Sequence, residues 1–259
     1  MDRKKLTSYF SLNERVPWLC PTCKSGMLEI IKPSLHKKIT KQSHNILAGY
    51  NGQWIPEEVE YRYSCLFRCG NNSCDEVISS SGVGYISIVG YEYNENEEYQ
   101  NPVYDDHFYP KYFEPALNLV LIPDNCPASI QEPLKESFKL FFSSFGAAAN
   151  NIRVAIEAFL TELKVPTEKN RKDGSLTFMS LHERINNIPQ AYIEYKEMLK
   201  AIKWIGNSGS HNSNVKPKVE DVIDAYDLIE HILEDVYAPR RKRLSAIAAR
   251  INNNKGPGK

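Results

Sequence analysis

The chain has 259 residues, 42% of them hydrophobic and 25% charged, which is the balance of a globular protein long enough for a sizeable core and two structural units. No apolar run approaches twenty residues, so no membrane-spanning helix is expected. The opening MDRKKLTSYFSLNERVP lacks an apolar h-region and a small-residue cleavage site; no secretory signal is expected, and the cytoplasm is the expected compartment.

Five of the six cysteines lie at Cys20, Cys23, Cys65, Cys69 and Cys74. Cys20-Pro-Thr-Cys23 is a turn that can aim two thiolates at one tetrahedral metal ion. Cys69 and Cys74 bracket the turn-forming GNNS and can supply the second pair. Each half resembles a knuckle of a zinc ribbon. Four thiolates leave no open coordination position, so a zinc ion here is structural. Cys65 falls in VEYRYSCLF on the same side as Tyr61, Tyr63 and Phe67 by two-residue alternation, and reads as a buried structural cysteine. His36 and His44 are spare ligand candidates in a polar connection.

Val83–Tyr93 and Leu117–Pro123 read as further strands. The aromatic, acidic stretch between them reads as a long loop fastened by its tyrosines, or as a partner surface. A β-rich zinc-ribbon-like domain over residues 1–123 follows.

From residue 124 the apolar period changes to that of helices. Ser129 with Glu132 suggests a capping box, and the helix it opens continues through IRVAIEAFLTELKV. Pro166–Gly174 reads as a loop; helices are expected over Leu176–Ile188, Ala191–Gly206 and Val219–Tyr237. Residues 124–238 therefore form a helical bundle, and the fold class is α+β.

The order IPDNCP, IRVAIEAFL, SLHERINNI, IKWIGNSGSH and a long amphipathic helix resembles domain-of-unknown-function family 4145, within the wider HEPN-like helical bundles of bacterial defence and toxin systems. The resemblance places a polar pocket at Arg153 and Glu157, with a GN-x-x-x-H element at Gly206, Asn207 and His211. It also implies a zinc knuckle upstream and a homodimer. HEPN ribonucleases carry R-x(4–6)-H, in which arginine holds phosphate charge and histidine moves the proton of the attacking 2′-hydroxyl. Here the residue before Asn207 is Gly206, and the nearest upstream cation is Lys203, eight positions before His211. Lys203, Asn207 and His211 are the candidate catalytic residues. The other reading has Asn207 and His211 hydrogen-bonded to Glu157 or Arg153 across the bundle.

Formal neutrality, 32 basic against 32 acidic residues, conceals a basic end: residues 239–259 hold Arg240, Arg241, Lys242, Arg243, Arg250, Lys255 and Lys259, and no acid. The first four can meet the phosphates of RNA or DNA without reading sequence. The segment is expected to be a disordered tail, the other reading being a partner helix from the helical spacing of Leu244, Ile247, Ala248 and Ile251. By resemblance, the chain is expected to be a non-catalytic or regulatory component, binding nucleic acid or a protein partner, of a prokaryotic anti-phage defence system. The alternatives are a metal-independent endoribonuclease using His211 and a protein–protein scaffold.

Overall fold

The computed structural model describes residues 6–49, 55–93, 100–210, 216–238 and 240–256. The chain divides between Asn118 and Leu119 into two compact units, a few residues before the expected 123/124 boundary.

The first unit is a five-stranded antiparallel sheet: β1 (Leu28–Ile30), β2 (His36–Ile39), β3 (Glu60–Cys69), β4 (Val77–Tyr93) and β5 (Gln100–Glu114), with helix α1 (Lys41–Gly49) in a connection. The order is β1-β3-β4-β5, with β2 also pairing β3. In β3, Tyr63, Cys65, Phe67 and Cys69 are buried and the residues between them exposed, which is the expected period of two. Phe10 fills the centre, with ring contacts to Trp18, Tyr63, Phe67 and Phe108 at 5.1–6.2 Å.

The stretch read as an aromatic loop is strand β5, paired with β4 along its length. Its two prolines, Pro102 and Pro110, obscure that pattern. Pro110 is tolerated because β5 ends the strand order and the register shifts opposite it, between Ser81 and Gly82. Gly82 is required there, since a Cβ would come within 2.2 Å of the Tyr109 carbonyl oxygen. Leu117–Pro123 is not a strand, although Leu117, Leu119 and Val120 are buried.

The second unit contains α2 (Ala128–Phe141), α3 (Phe145–Glu162), a small hairpin of β6 (Glu168–Asn170) and β7 (Leu176–Phe178), α4 (Leu181–Asn186), α5 (Lys196–Ser210), α6 (Val219–Tyr237) and α7 (Arg240–Asn254). The single long helix expected from Ser129 breaks at Phe142–Ser144. Ser144 is extended, and its side chain accepts from the Ala147 N–H to cap α3. The capping box expected at Ser129 is absent; its hydroxyl donates to Glu162 instead, at 2.7 Å. A reciprocal box stands at Ser180 and Glu183, opening α4.

Leu176–Phe178 is a strand rather than the start of that helix, and a 3-10 turn over Gln190–Tyr195 precedes α5. Leu134, Phe138, Ile152, Ile156, Leu199, Ile202, Tyr226 and Ile229 form the core. Within it, the buried Ser137 hydroxyl lies 2.6 Å from Tyr226 Oη and 2.8 Å from the Ala148 carbonyl oxygen. The basic segment expected to be disordered is helical as α7, with Leu244 and Ile251 exposed.

Candidate metal centre and polar helical face

The two cysteine pairs meet at one end of the sheet. All four sulphurs, of Cys20, Cys23, Cys69 and Cys74, lie within 4.8 Å of one another. Cys20 Sγ is 3.9 Å from Cys74 Sγ, and Cys23 Sγ is 3.5 Å from Cys69 Sγ. A tetrahedral four-thiolate zinc ion, with Zn–S near 2.3 Å, needs sulphurs about 3.8 Å apart. These separations are far too long for disulfides, and all six cysteines are free.

The two knuckles share a construction. Cys20 N–H donates to the Gly26 carbonyl and Cys69 N–H to the Glu76 carbonyl, closing each loop. The residue after each second cysteine, Lys24 (φ 57°) and Asp75 (φ 45°), is left-handed and turns the chain back. The N–H groups of Gly26 and Asn71 donate to Cys23 Sγ and Cys69 Sγ, both at 3.4 Å. The Ser25 hydroxyl and the Gly26 and Ser25 backbone hold the Cys23 thiol down to about 5, whereas burial pushes the neighbouring Cys69 thiol up to about 12. Gly26 admits no side chain: a Cβ would sit 2.4 Å from Cys69 Sγ. Cys65 is buried outside the group, where burial pushes its thiol up to about 12. Neither His36 nor His44 joins the group, and both are exposed.

On the helical unit, α3 and α5 approach closely at Gly206. A Cβ there would lie 2.6 Å from Arg153 Cβ, 3.1 Å from the Ala149 carbonyl oxygen and 3.2 Å from Arg153 Cδ. The stem of Arg153 thus occupies the space a side chain at 206 would need. Arg153 Nη2 pairs with Glu157 Oε1 at 2.8 Å, and Nη1 lies 3.4 Å from Asn150 Oδ1. Asn207 is half-buried. His211 lies outside the described residues, and the side chains of Arg240, Arg241, Lys242 and Arg243 do too.

Lys203 is 4% exposed. Its Nζ lies 3.2 Å from His182 Nδ1 and 3.5 Å from the centroid of the Trp204 ring. Among the described residues it forms no ion pair with a carboxylate. Burial, with added repulsion from Lys200, holds its ammonium below the usual lysine range. A charged Lys203 only donates, so His182 Nδ1 accepts and Nε2 carries the ring proton. Nε2 lies 3.1 Å from Asn186 Nδ2, and with Nε2 protonated the Asn186 amide must turn over so that its oxygen accepts.

His182 and Trp204 were not singled out from sequence, although both stand inside the quoted SLHERINNI and IKWIGNSGSH. Arg184 was also missed. Its buried guanidinium donates to the Glu157 carbonyl at 3.2 Å and to Thr161 Oγ1 at 2.8 Å. It satisfies the carbonyl-rich end of α3 and is a structural cation.

The β unit thus brings together four thiols that could hold a metal ion, and the helical unit carries an Arg153–Glu157 pair and a buried Lys203 between His182 and the exposed Trp204. Residues 135–254 match the family described as Domain of unknown function (DUF4145), the family expected from sequence, and the match runs through α7. Residues 8–113 match a second family, Domain of unknown function (DUF8608). No curated protein and no solved structure matches the chain. Among the described residues no helix is long and apolar enough to cross a membrane.

Proposed function

We propose that this chain is a non-catalytic, nucleic-acid-binding component of a prokaryotic defence system, with a HEPN-like helical unit and a zinc-ribbon-like unit closed by a structural zinc ion. The observation that carries the non-catalytic reading is the interlock of Gly206 with Arg153. A ribonuclease of the HEPN kind carries arginine before the asparagine. Here even a methyl group at that position would meet Arg153 Cβ at 2.6 Å. The nearest cation on the same helix, Lys203, is buried against His182 and Trp204. The partly exposed Lys200 and the exposed Trp204 on α5 suit binding, and the basic α7 adds sequence-independent attraction to phosphate.

The zinc reading is supported by the close grouping of the four sulphurs and by their amide donors. Zinc would fix the two knuckles relative to each other and supply no reaction, because four thiolates fill its coordination sphere.

One observation favours the endoribonuclease reading as the second choice. Arg153 lies across Gly206, so an arginine could be delivered from α3 rather than from α5. Its guanidinium is, however, paired with Glu157. Gel-shift titration of the purified chain with single-stranded RNA and DNA at several salt concentrations tests the binding reading. Retention that falls with salt is expected, with a shallower slope after deletion of residues 239–259. No retention at low salt would reject the reading.

A further inference from the structure

Trp204 differs from the other exposed apolar side chains in that its ring lies against a buried cation. Trp204 is 60% exposed on α5, while Lys203 beneath it is 4% exposed. The ammonium sits 3.5 Å from the ring centroid and is itself located by His182 Nδ1 at 3.2 Å. His182 is in turn held by Asn186 at 3.1 Å. Ring, ammonium, imidazole and amide form a chain of contacts from α5 to α4. Burying the ammonium beside Lys200, with no carboxylate ion pair among the described residues, is costly. What that arrangement yields is an indole plane with one face pinned and the other open.

Resting on the nucleic-acid reading above, we propose that Trp204 is a stacking platform for a purine base of single-stranded nucleic acid, with Lys203 and His182 as its positioning residues. A cation on the inner face draws electron density from the indole. This disfavours a second cation on the outer face and favours a neutral, electron-rich ring there. Purines present the larger π-surface. Lys200 and Asn207, four residues before and three after Trp204, flank it on the same side of the helix. Lys200 can exchange its exposed partner Glu197, 2.7 Å away, for a backbone phosphate.

The test uses the full chain and its tryptophan fluorescence, titrated with adenosine monophosphate and with a short single-stranded adenine oligonucleotide, alongside gel shifts. Of the chain's 3 tryptophans, Trp18 is buried, and Trp204→Phe isolates the contribution of Trp204. Quenching of the Trp204 signal by both ligands is expected. Trp204→Ala should weaken oligonucleotide binding at least about fivefold, the lower end for one stacked base. Lys203→Met should lower the fluorescence anisotropy of Trp204 and weaken quenching, and Lys203→Arg should restore both.

Oligonucleotide binding that leaves Trp204 emission unchanged and survives Trp204→Ala would overturn the platform while leaving nucleic-acid binding intact. Quenching by the mononucleotide without any gel shift would overturn both the nucleic-acid reading and the proposal that the ring stacks a base of a strand. A blue shift on concentrating the protein alone would place the ring in an interface between copies and also overturn the proposal.

Discussion

Replacing Gly206 with alanine puts two opposing effects in one substitution. Alanine inside a helix is favoured over glycine by about 1 kcal/mol. Against that, the new methyl would meet Arg153 Cβ at 2.6 Å, roughly 1 Å inside ordinary contact. Arg153 Cβ is fixed to the α3 backbone and cannot swing away, so the helices themselves must part. Overpacking of this kind costs about 1–3 kcal/mol, and the rigidity of both sides argues for the upper end. The net expectation for Gly206→Ala is a loss of about 2 kcal/mol, a fall of roughly 4–8 °C in the melting of the helical signal. In an Arg153→Gly background only the 3.1 Å approach to the Ala149 carbonyl oxygen remains, and the same change should cost markedly less. Far-UV circular dichroism melts of the four proteins of this cycle supply the coupling energy. If Gly206→Ala raised the melting temperature in the native background, or if the two changes were additive, the steric argument would be wrong.

Cys69→Ser should abolish bound zinc as measured by elemental analysis, and Cys65→Ser should leave its stoichiometry unchanged, since Cys65 stands outside the sulphur group. Ser137→Ala should cost about 1–3 kcal/mol in urea unfolding, because it leaves the fully buried Tyr226 hydroxyl without its 2.6 Å partner; Tyr226→Phe added to it should recover part of that loss. Glu183, held by Lys169, the Ser180 N–H and the Ser180 hydroxyl, is depressed from 4.5 to about 2. Its contribution to stability is therefore fully present above pH 4.5 and lost as pH falls through about 2, so Glu183→Gln should remove that part of the acid dependence.

The meeting of the four cysteines was legible in the sequence because C-x-x-C and CGNNSC encode local turns, and thiol chemistry narrows what such turns can do. The β3 face and the amphipathic α6 were legible through their periods. What escaped depends on partners distant in sequence. Strand β5 was hidden by its prolines and acids, whose places become acceptable only once β4 pairs with it. The break between α2 and α3 depends on one serine cap, a short-range signal masked by apolar residues on both sides. The role of Gly206 could not be read from its neighbours at all, since the obstructing atoms belong to residues 149 and 153. His182 was invisible for the same reason: Lys203 lies 21 residues away in the chain.

The most direct test of the central claim is incubation of purified protein with end-labelled single-stranded RNA in EDTA, with bound and cleaved RNA resolved in parallel. The expected result is RNA that is retained by the protein and stays intact. Cleavage leaving 2′,3′-cyclic phosphate ends, abolished by His211→Ala without a fall in melting temperature, would contradict it and establish the endoribonuclease reading.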